Sequence, residues 1–227
     1  MGSVETMKTL NKKELVKMLS YIVMGDGGLY YPSKRTAKSN AKFIMNMKKE
    51  NSDYIMMCKE IIEQLTNCYL YERKDYNTDG CTRQPQQRLE SSSHPLLTSI
   101  HDRVYTDKYK GLDPHALKML DAEALAILYM CDGSFVTTEP WQTNRGSVSN
   151  EYTVTLNMKR LSYGDQFILK KALKDLLDLE WNINRQNKYY YLRLRSKEVD
   201  KFMELVAPYV LPSFQYKLKE CFRTVSP

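Results

Sequence analysis

The chain has 227 residues, 42% hydrophobic and 27% charged, which provides for a packed core and argues against wholesale disorder. Lys and Arg number 34 against 27 Asp and Glu, and the resulting +7 favours a polyanionic partner without identifying one. Cys58, Cys68, Cys81, Cys131 and Cys221 are odd in number, form no CxxC and are joined by only three histidines, so neither a disulfide framework nor a Cys/His zinc site is expected. No apolar run reaches the roughly 18 residues of a membrane span, and the first residues lack a signal-peptide core, which together predict a soluble intracellular chain.

In chain order, residues 15–28 (LVKMLSYIVMGDGG) read as an apolar helix closed by Asp-Gly. A basic cluster, Lys34, Arg35, Lys38 and Lys42, leads into a strand at 42–48. There Phe43, Met45 and Met47 oppose Lys42, Ile44, Asn46 and Lys48. A helix is predicted over 52–66 from Ile55, Cys58, Ile61, Ile62 and Leu65. Residues 74–84, with Asn77-Thr78-Asp79-Gly80, read as a hairpin loop, and 105–118 as a connection punctuated by Gly111 and Pro114.

From there the pattern repeats. Residues 121–134 (DAEALAILYMCDGS) form a second apolar helix ending in Asp-Gly. After a loop at 137–150, a strand is predicted over 152–159, with Tyr152, Val154, Leu156 and Met158 opposing Thr153, Thr155, Asn157 and Lys159. Asn157-Met158-Lys159-Arg160 echoes Asn46-Met47-Lys48-Lys49. A helix over 164–178 matches the one at 52–66, and a strand over 189–195 sets Tyr190, Leu192 and Leu194 against Tyr191, Arg193 and Arg195. The expected architecture is therefore two α+β halves, each helix, hairpin, helix, hairpin.

The doubled helix-end aspartate carries the chemical signal. A carboxylate at a helix C-terminus faces the negative end of the macrodipole, and a cation there offsets the cost. Asp26 and Asp132 are thus candidate ligands for a hard divalent cation such as Mg2+, the ion of metal-assisted phosphodiester hydrolysis. The polar strand faces supply candidate nucleic-acid contacts: Lys34, Arg35, Lys42, Asn46, Thr153, Thr155, Asn157, Arg185, Arg193 and Arg195. Arg or Lys pairs naturally with guanine, and Asn with adenine.

The segments Leu19-Ser20-Tyr21-Ile22-Val23-Met24-Gly25-Asp26-Gly27 and Leu125-Ala126-Ile127-Leu128-Tyr129-Met130-Cys131-Asp132-Gly133 resemble the paired motifs of LAGLIDADG homing endonucleases of the monomeric, two-motif type. The run from Ala207-Pro208-Tyr209 to Tyr216-Lys217-Leu218 is similar to the ending of the mitochondrial omega-intron branch. The resemblance covers residues 12–220. It implies half-domains at 1–108 and 109–227, each with a four-stranded antiparallel sheet, forming a saddle over the DNA major groove. It further implies that the motif helices bring Asp26 and Asp132 to a shared metal cluster, with the preceding Gly25 and Cys131 also counted among the metal-site residues.

By the same resemblance, Lys217 and Lys110 are the catalytic lysines, with Lys108 as the alternative to Lys110. Lys48 and Lys159 lie near the scissile phosphates. The implied activity is a magnesium-dependent double-strand break in DNA leaving a 3′ overhang. At ~3.3 Å per residue, ten-residue ribbons from two halves would cover about 20 base pairs. The implied setting is an organelle (mitochondrion or chloroplast), with phage or bacterial cytoplasm as the alternative. An RNA-binding intron maturase, with intron RNA as partner, and a non-cleaving DNA-binding regulator share the scaffold. Tyr21, Ile127 and Tyr129 are bulkier than the family pattern inside the motif helices, where Ser20, Gly25 and Ala126 remain small.

Overall fold

The computed structural model describes residues 9–33, 39–73, 85–106, 109–138 and 151–223. These divide between Val104 and Tyr105 into two compact units. Both are α+β, and each is built on a four-stranded antiparallel sheet.

The first unit begins with α1 (Lys12–Met24), started by a capping box in which Asn11 and Glu14 satisfy each other's backbone N–H groups. Strands β1 (Gly28–Tyr30) and β2 (Lys42–Lys48) are followed by α2 (Ser52–Glu63). Strands β3 (Cys68–Arg73) and β4 (Gln86–Ser91) lead to α3 (Pro95–Val104). The sheet order is β1-β2-β4-β3. Phe43, Met45 and Met47 of β2 and Leu89 of β4 are buried beneath the helices, which contribute Tyr54, Ile55, Cys58, Ile61, Ile62, Leu97 and Ile100 to the same core.

The second unit opens with a short hairpin, β5 (Tyr105–Thr106) and β6 (Tyr109–Lys110), then one turn of helix, α4 (Pro114–Leu117), capped by buried Asp113. Helix α5 (Ala122–Asp132) runs straight into β7 (Gly133–Thr138). Next come β8 (Glu151–Leu156), α6 (Tyr163–Leu177), β9 (Trp181–Gln186), β10 (Tyr189–Leu194) and α7 (Val199–Val206). The order β7-β8-β10-β9 reproduces that of the first sheet. Phe202 of α7 packs edge-on against Tyr129 of α5 and Trp181 of β9, at 4.9 and 5.7 Å between ring centres.

The repeat read from the sequence is therefore present, with revisions. The helix after each first hairpin lies at 52–63 and 163–177, close to the expected spans. A further helix follows each sheet, α3 and α7, and was not anticipated. Strand β8 stops at Leu156 rather than 159: the Asn157 N–H still donates to the Asp132 carbonyl at 2.7 Å, in register with β7, but beyond it the chain turns, the Leu161 N–H donating to the Met158 carbonyl at 3.0 Å. The expected loop at 74–84 lies outside the described residues, as does 139–150 of the loop expected at 137–150, whose first two residues belong instead to β7. Among the described residues no helix is long and apolar enough to cross a membrane.

Candidate active site and nucleic-acid interface

Both motif helices are buried around their whole circumference near their ends: Leu19 to Met24 in α1 and Ala124 to Met130 in α5. Their closures differ. Helix α1 stops at Met24; the buried Gly25 donates its N–H to the Tyr21 carbonyl, and Gly27 to the Ile22 carbonyl, each at 2.9 Å. Asp26 sits in that turn, two residues past the helix, and is exposed. Asp132, in contrast, is the last helical residue, and its side chain is only 20% exposed.

The glycine after each aspartate is required by close approach. A Cβ on Gly27 would stand 2.8 Å from the Ile22 carbonyl oxygen, and one on Gly133 would stand 2.4 Å from that of Tyr129. Both distances are too short for a carbon, so the Asp-Gly pair is the condition for the chain to turn back onto its own helix. This gives the doubled dipeptide a packing cause independent of its chemistry.

Asp132 already has a cation beside it. The Arg160 guanidinium donates from Nη1 to Asp132 Oδ2 at 3.0 Å. A carboxylate at the negative helix end calls for positive charge, and here the protein's own guanidinium stands where a cation would. Hard oxygen donors of this kind fit an ion of the magnesium class. Among the described residues no group of three or more His, Cys, Asp or Glu side chains gathers as a metal site, so within each unit the motif supplies one carboxylate. Cys131 is half-buried in the last turn of α5.

Lys217 lies in a 3-10 turn spanning Pro212–Lys217. Its ammonium donates to the carbonyls of Met130 at 2.6 Å and Tyr129 at 3.4 Å in the last turns of α5, the latter carbonyl also accepting the Gly133 N–H. The Tyr129 hydroxyl returns a hydrogen bond to the Lys217 carbonyl at 2.5 Å. Burial pushes the Tyr129 phenol well above its ordinary value, so it remains a donor. Lys217 thus brings its charge to the turn that carries Asp132 and is no freely solvated lysine.

The other lysines are dispersed. Lys110 is half-buried in the β5–β6 hairpin, opposite Tyr105 and within the second unit; Lys108 lies outside the described residues. Lys48 ends β2 and pairs with Glu50 at 3.2 Å. Its expected counterpart Lys159 is not on a strand: it is exposed in the turn after β8, its N–H donating to the Asn157 carbonyl at 2.6 Å.

The sheet registers define the polar faces. In the first unit, Asn46, Arg88 and Tyr71 stand in one cross-strand row, with Ile44, Glu90 and Tyr69 in the next. Lys42 pairs with Tyr30 on the same face. Arg88 bonds Glu90 through Nε at 3.1 Å and through Nη2, and the Tyr30 hydroxyl donates to Glu90 at 3.3 Å. The Arg88 hydrogen bond holds the Glu90 carboxyl below its usual range.

In the second unit, Ser134, Thr155, Arg193 and Asn182 form one row. Asn157 donates to Thr155 at 2.9 Å and to Ser134 at 3.3 Å, and Arg193 donates to Thr153 at 3.2 Å. These hydrogen bonds fix the hydroxyl and amide groups in place.

Two expected contact residues lie off the polar face of the second sheet. Arg185 pairs with Tyr190, and alternation puts it on the face of Ile183, Trp181 and Leu192, opposite Arg193. Arg195 lies past the end of β10 and is ion-paired to Glu180. Lys34 and Arg35 are outside the described residues. Arg88, Tyr69, Tyr71, Ser134 and Asn182 were not read from the sequence. The alternations Tyr69-Leu70-Tyr71 and Arg88-Leu89-Glu90 carry a signal for three of these positions, but only strand pairing puts them in the rows of Asn46 and Ile44.

The chain is similar to a solved homing endonuclease, I-WcaI bound to its DNA recognition sequence: TM-score 0.69, 20% identity, over 96% of this chain and 95% of that one. It is 30% identical over 211 residues to Protein RecA of Mycolicibacterium flavescens, over 90% of this chain and 47% of that protein. It is 26% identical over 200 residues to the uncharacterized protein MJ1098 of Methanocaldococcus jannaschii, over 86% and 71% respectively. The chain thus spans about half the length of that RecA relative. Residues 17–202 match the family model described as LAGLIDADG DNA endonuclease, and the chain belongs to that family.

Proposed function

We propose that this chain is a site-specific endonuclease acting on double-stranded DNA as a monomer, with Mg2+ as its ion and a double-strand break as its product. The observation that carries this reading is the duplicated unit: a buried motif helix delivering one aspartate, beside a four-stranded sheet whose outer face is ordered by hydrogen bonds. Asp26 in the first unit and Asp132 in the second would each supply a carboxylate ligand to divalent metal, which when bound polarises the scissile phosphate and activates water.

The chain's own groups do the rest. Lys217 carries positive charge into the Asp132 turn, where it would favour developing negative charge. Asn46, Arg88, Thr155, Arg193 and Asn182 present donors and acceptors in fixed rows suited to base edges. Tyr69 and Tyr71 are exposed amid the polar rows of the first sheet and add apolar contact surface.

The test is incubation of the protein and Mg2+ with a plasmid library bearing randomised inserts, followed by sequencing of the cut ends. A single recovered site with both strands broken is expected. Cutting without sequence preference, or binding of one sequence without cutting, would refute the reading.

A further inference from the structure

Asp26 and Asp132 occupy the same place in a repeated motif, yet their electrostatic settings differ. Asp132 Oδ2 is engaged by Arg160 Nη1 at 3.0 Å, with the two side chains 20% and 26% exposed. The segment bearing Arg160 is pinned: the Asn157 N–H donates to the Asp132 carbonyl at 2.7 Å, and the Leu161 N–H to the Met158 carbonyl at 3.0 Å. In the first unit the equivalent position of the Asn-Met-Lys-basic sequence is Lys49. Its ammonium goes instead to Glu72 at 3.0 Å. Among the described residues no ion pair is made by Asp26.

We infer that Arg160 is a resident counter-cation of Asp132 which a divalent ion must displace, so that the second unit's aspartate takes metal more weakly than Asp26. This rests on the reading of both aspartates as metal ligands. A guanidinium keeps its charge at every accessible pH and offers two donors in a fixed plane, so it is a persistent competitor for a carboxylate. It also repels an approaching cation at a separation well inside the roughly 10 Å over which salt screens. Both effects act in the same direction. The two halves therefore load in order, with the first unit ready at lower ion concentration.

The experiment is a Mn2+ titration of the full chain without DNA, free Mn2+ being read by electron paramagnetic resonance. Arg160→Met should tighten the Asp132-dependent site about fivefold. Arg160→Gln, which removes the charge but keeps a hydrogen-bonding amide, should do the same, while Arg160→Lys should fall between these and the parent. Lys49→Met should leave the isotherm unchanged. Unchanged or weaker binding in both Arg160→Met and Arg160→Gln overturns the inference. Asp132→Asn separates the two levels: if it removes a Mn2+ site while the Arg160 variants change nothing, only the inference fails. If Asp132→Asn leaves the isotherm intact, the metal assignment itself fails and the inference with it.

Discussion

The two motif ends make the most informative comparison in this molecule. In the first unit the helix stops at Met24, a glycine turn intervenes, and Asp26 is exposed. In the second, the helix continues through Asp132, whose carboxylate is drawn against Arg160 and whose carbonyl is taken by Asn157. The last turn of α5 is further held by Lys217. One sequence pattern thus supports two local environments, because a motif fixes which groups are present at a helix end while the surrounding chain fixes what faces them. A repeated motif does not make the two halves electrostatically equal.

The largest expected effect tests what the two ends share. Asp26→Asn and Asp132→Asn should each abolish double-strand cleavage while DNA affinity, measured in Ca2+, stays within about tenfold, since the amide weakens metal binding but leaves the strand faces alone. Wild-type-like plasmid linearisation by either variant would remove that residue from the site and end the parallel.

Next comes the tightness of the two closures. Gly133→Ala should destabilise the protein by about 1–3 kcal/mol through overpacking. Its Cβ would meet the Tyr129 ring at 2.1 Å and carbonyl oxygen at 2.4 Å. Gly27→Ala should cost less, with nearest approaches of 2.7 Å to the Phe43 ring and 2.8 Å to the Ile22 carbonyl oxygen. Urea unfolding midpoints decide the order, and an inverted order would show that the first closure is the stiffer one.

Lys217→Met should lower stability by about 1–2 kcal/mol, from loss of its bonds to the Tyr129 and Met130 carbonyls. It should also slow cleavage about tenfold, with nicked circles accumulating because one half is impaired more than the other. A Lys217→Met enzyme that linearises DNA at the parent rate without nicked intermediate would assign Lys217 to helix capping alone.

Smaller effects separate the two sheets. Arg88→Ala and Arg193→Ala should each relax base preference at separate target positions, by about 1–3 kcal/mol of discrimination. Lys48→Ala should weaken binding evenly across sequences and lower the salt slope by about one. A base-specific effect of Lys48→Ala would move it from phosphate to base contact.

The smallest effect is the Glu90 titration. Its carboxyl is lowered chiefly by the Arg88 hydrogen bond. A depressed folded value means that the pair contributes stability above the ordinary carboxylate range and loses it as pH falls through the lowered value. Carboxyl carbon shifts measured by NMR should show Glu90 titrating below a model glutamate, and Arg88→Ala should return it upward.

Much of this was legible in the chain. The duplicated Asp-Gly, the Asn-Met-Lys echo and the alternation in 42–48 gave two α+β halves, the candidate carboxylates and the core face of β2. Each is a local signal: side-chain period, helix amphipathicity and turn chemistry act over a few residues and survive in any one segment. Arg185 shows the limit of such local signals. Its charge was visible, but the face it occupies depends on the register of β9 against β10, and a one-residue change in register reverses every side chain.

What the sequence determined by itself was the architecture of each half and the identity of its motif aspartate. What only the tertiary structure decided was which partner each charged group would find. Arg160 and Lys49 fill one position of the repeat, yet one reaches Asp132 and the other Glu72, a residue 23 positions along the chain. Likewise Lys217, which has no acidic neighbour at i±4, finds its partners 87 and 88 residues away, in main-chain carbonyls that carry no side-chain signature at all. Hydrogen bonds and ion pairs act over a few ångströms of space rather than over a span of sequence, so their endpoints become visible only once the packing of helices and strands has brought distant segments together.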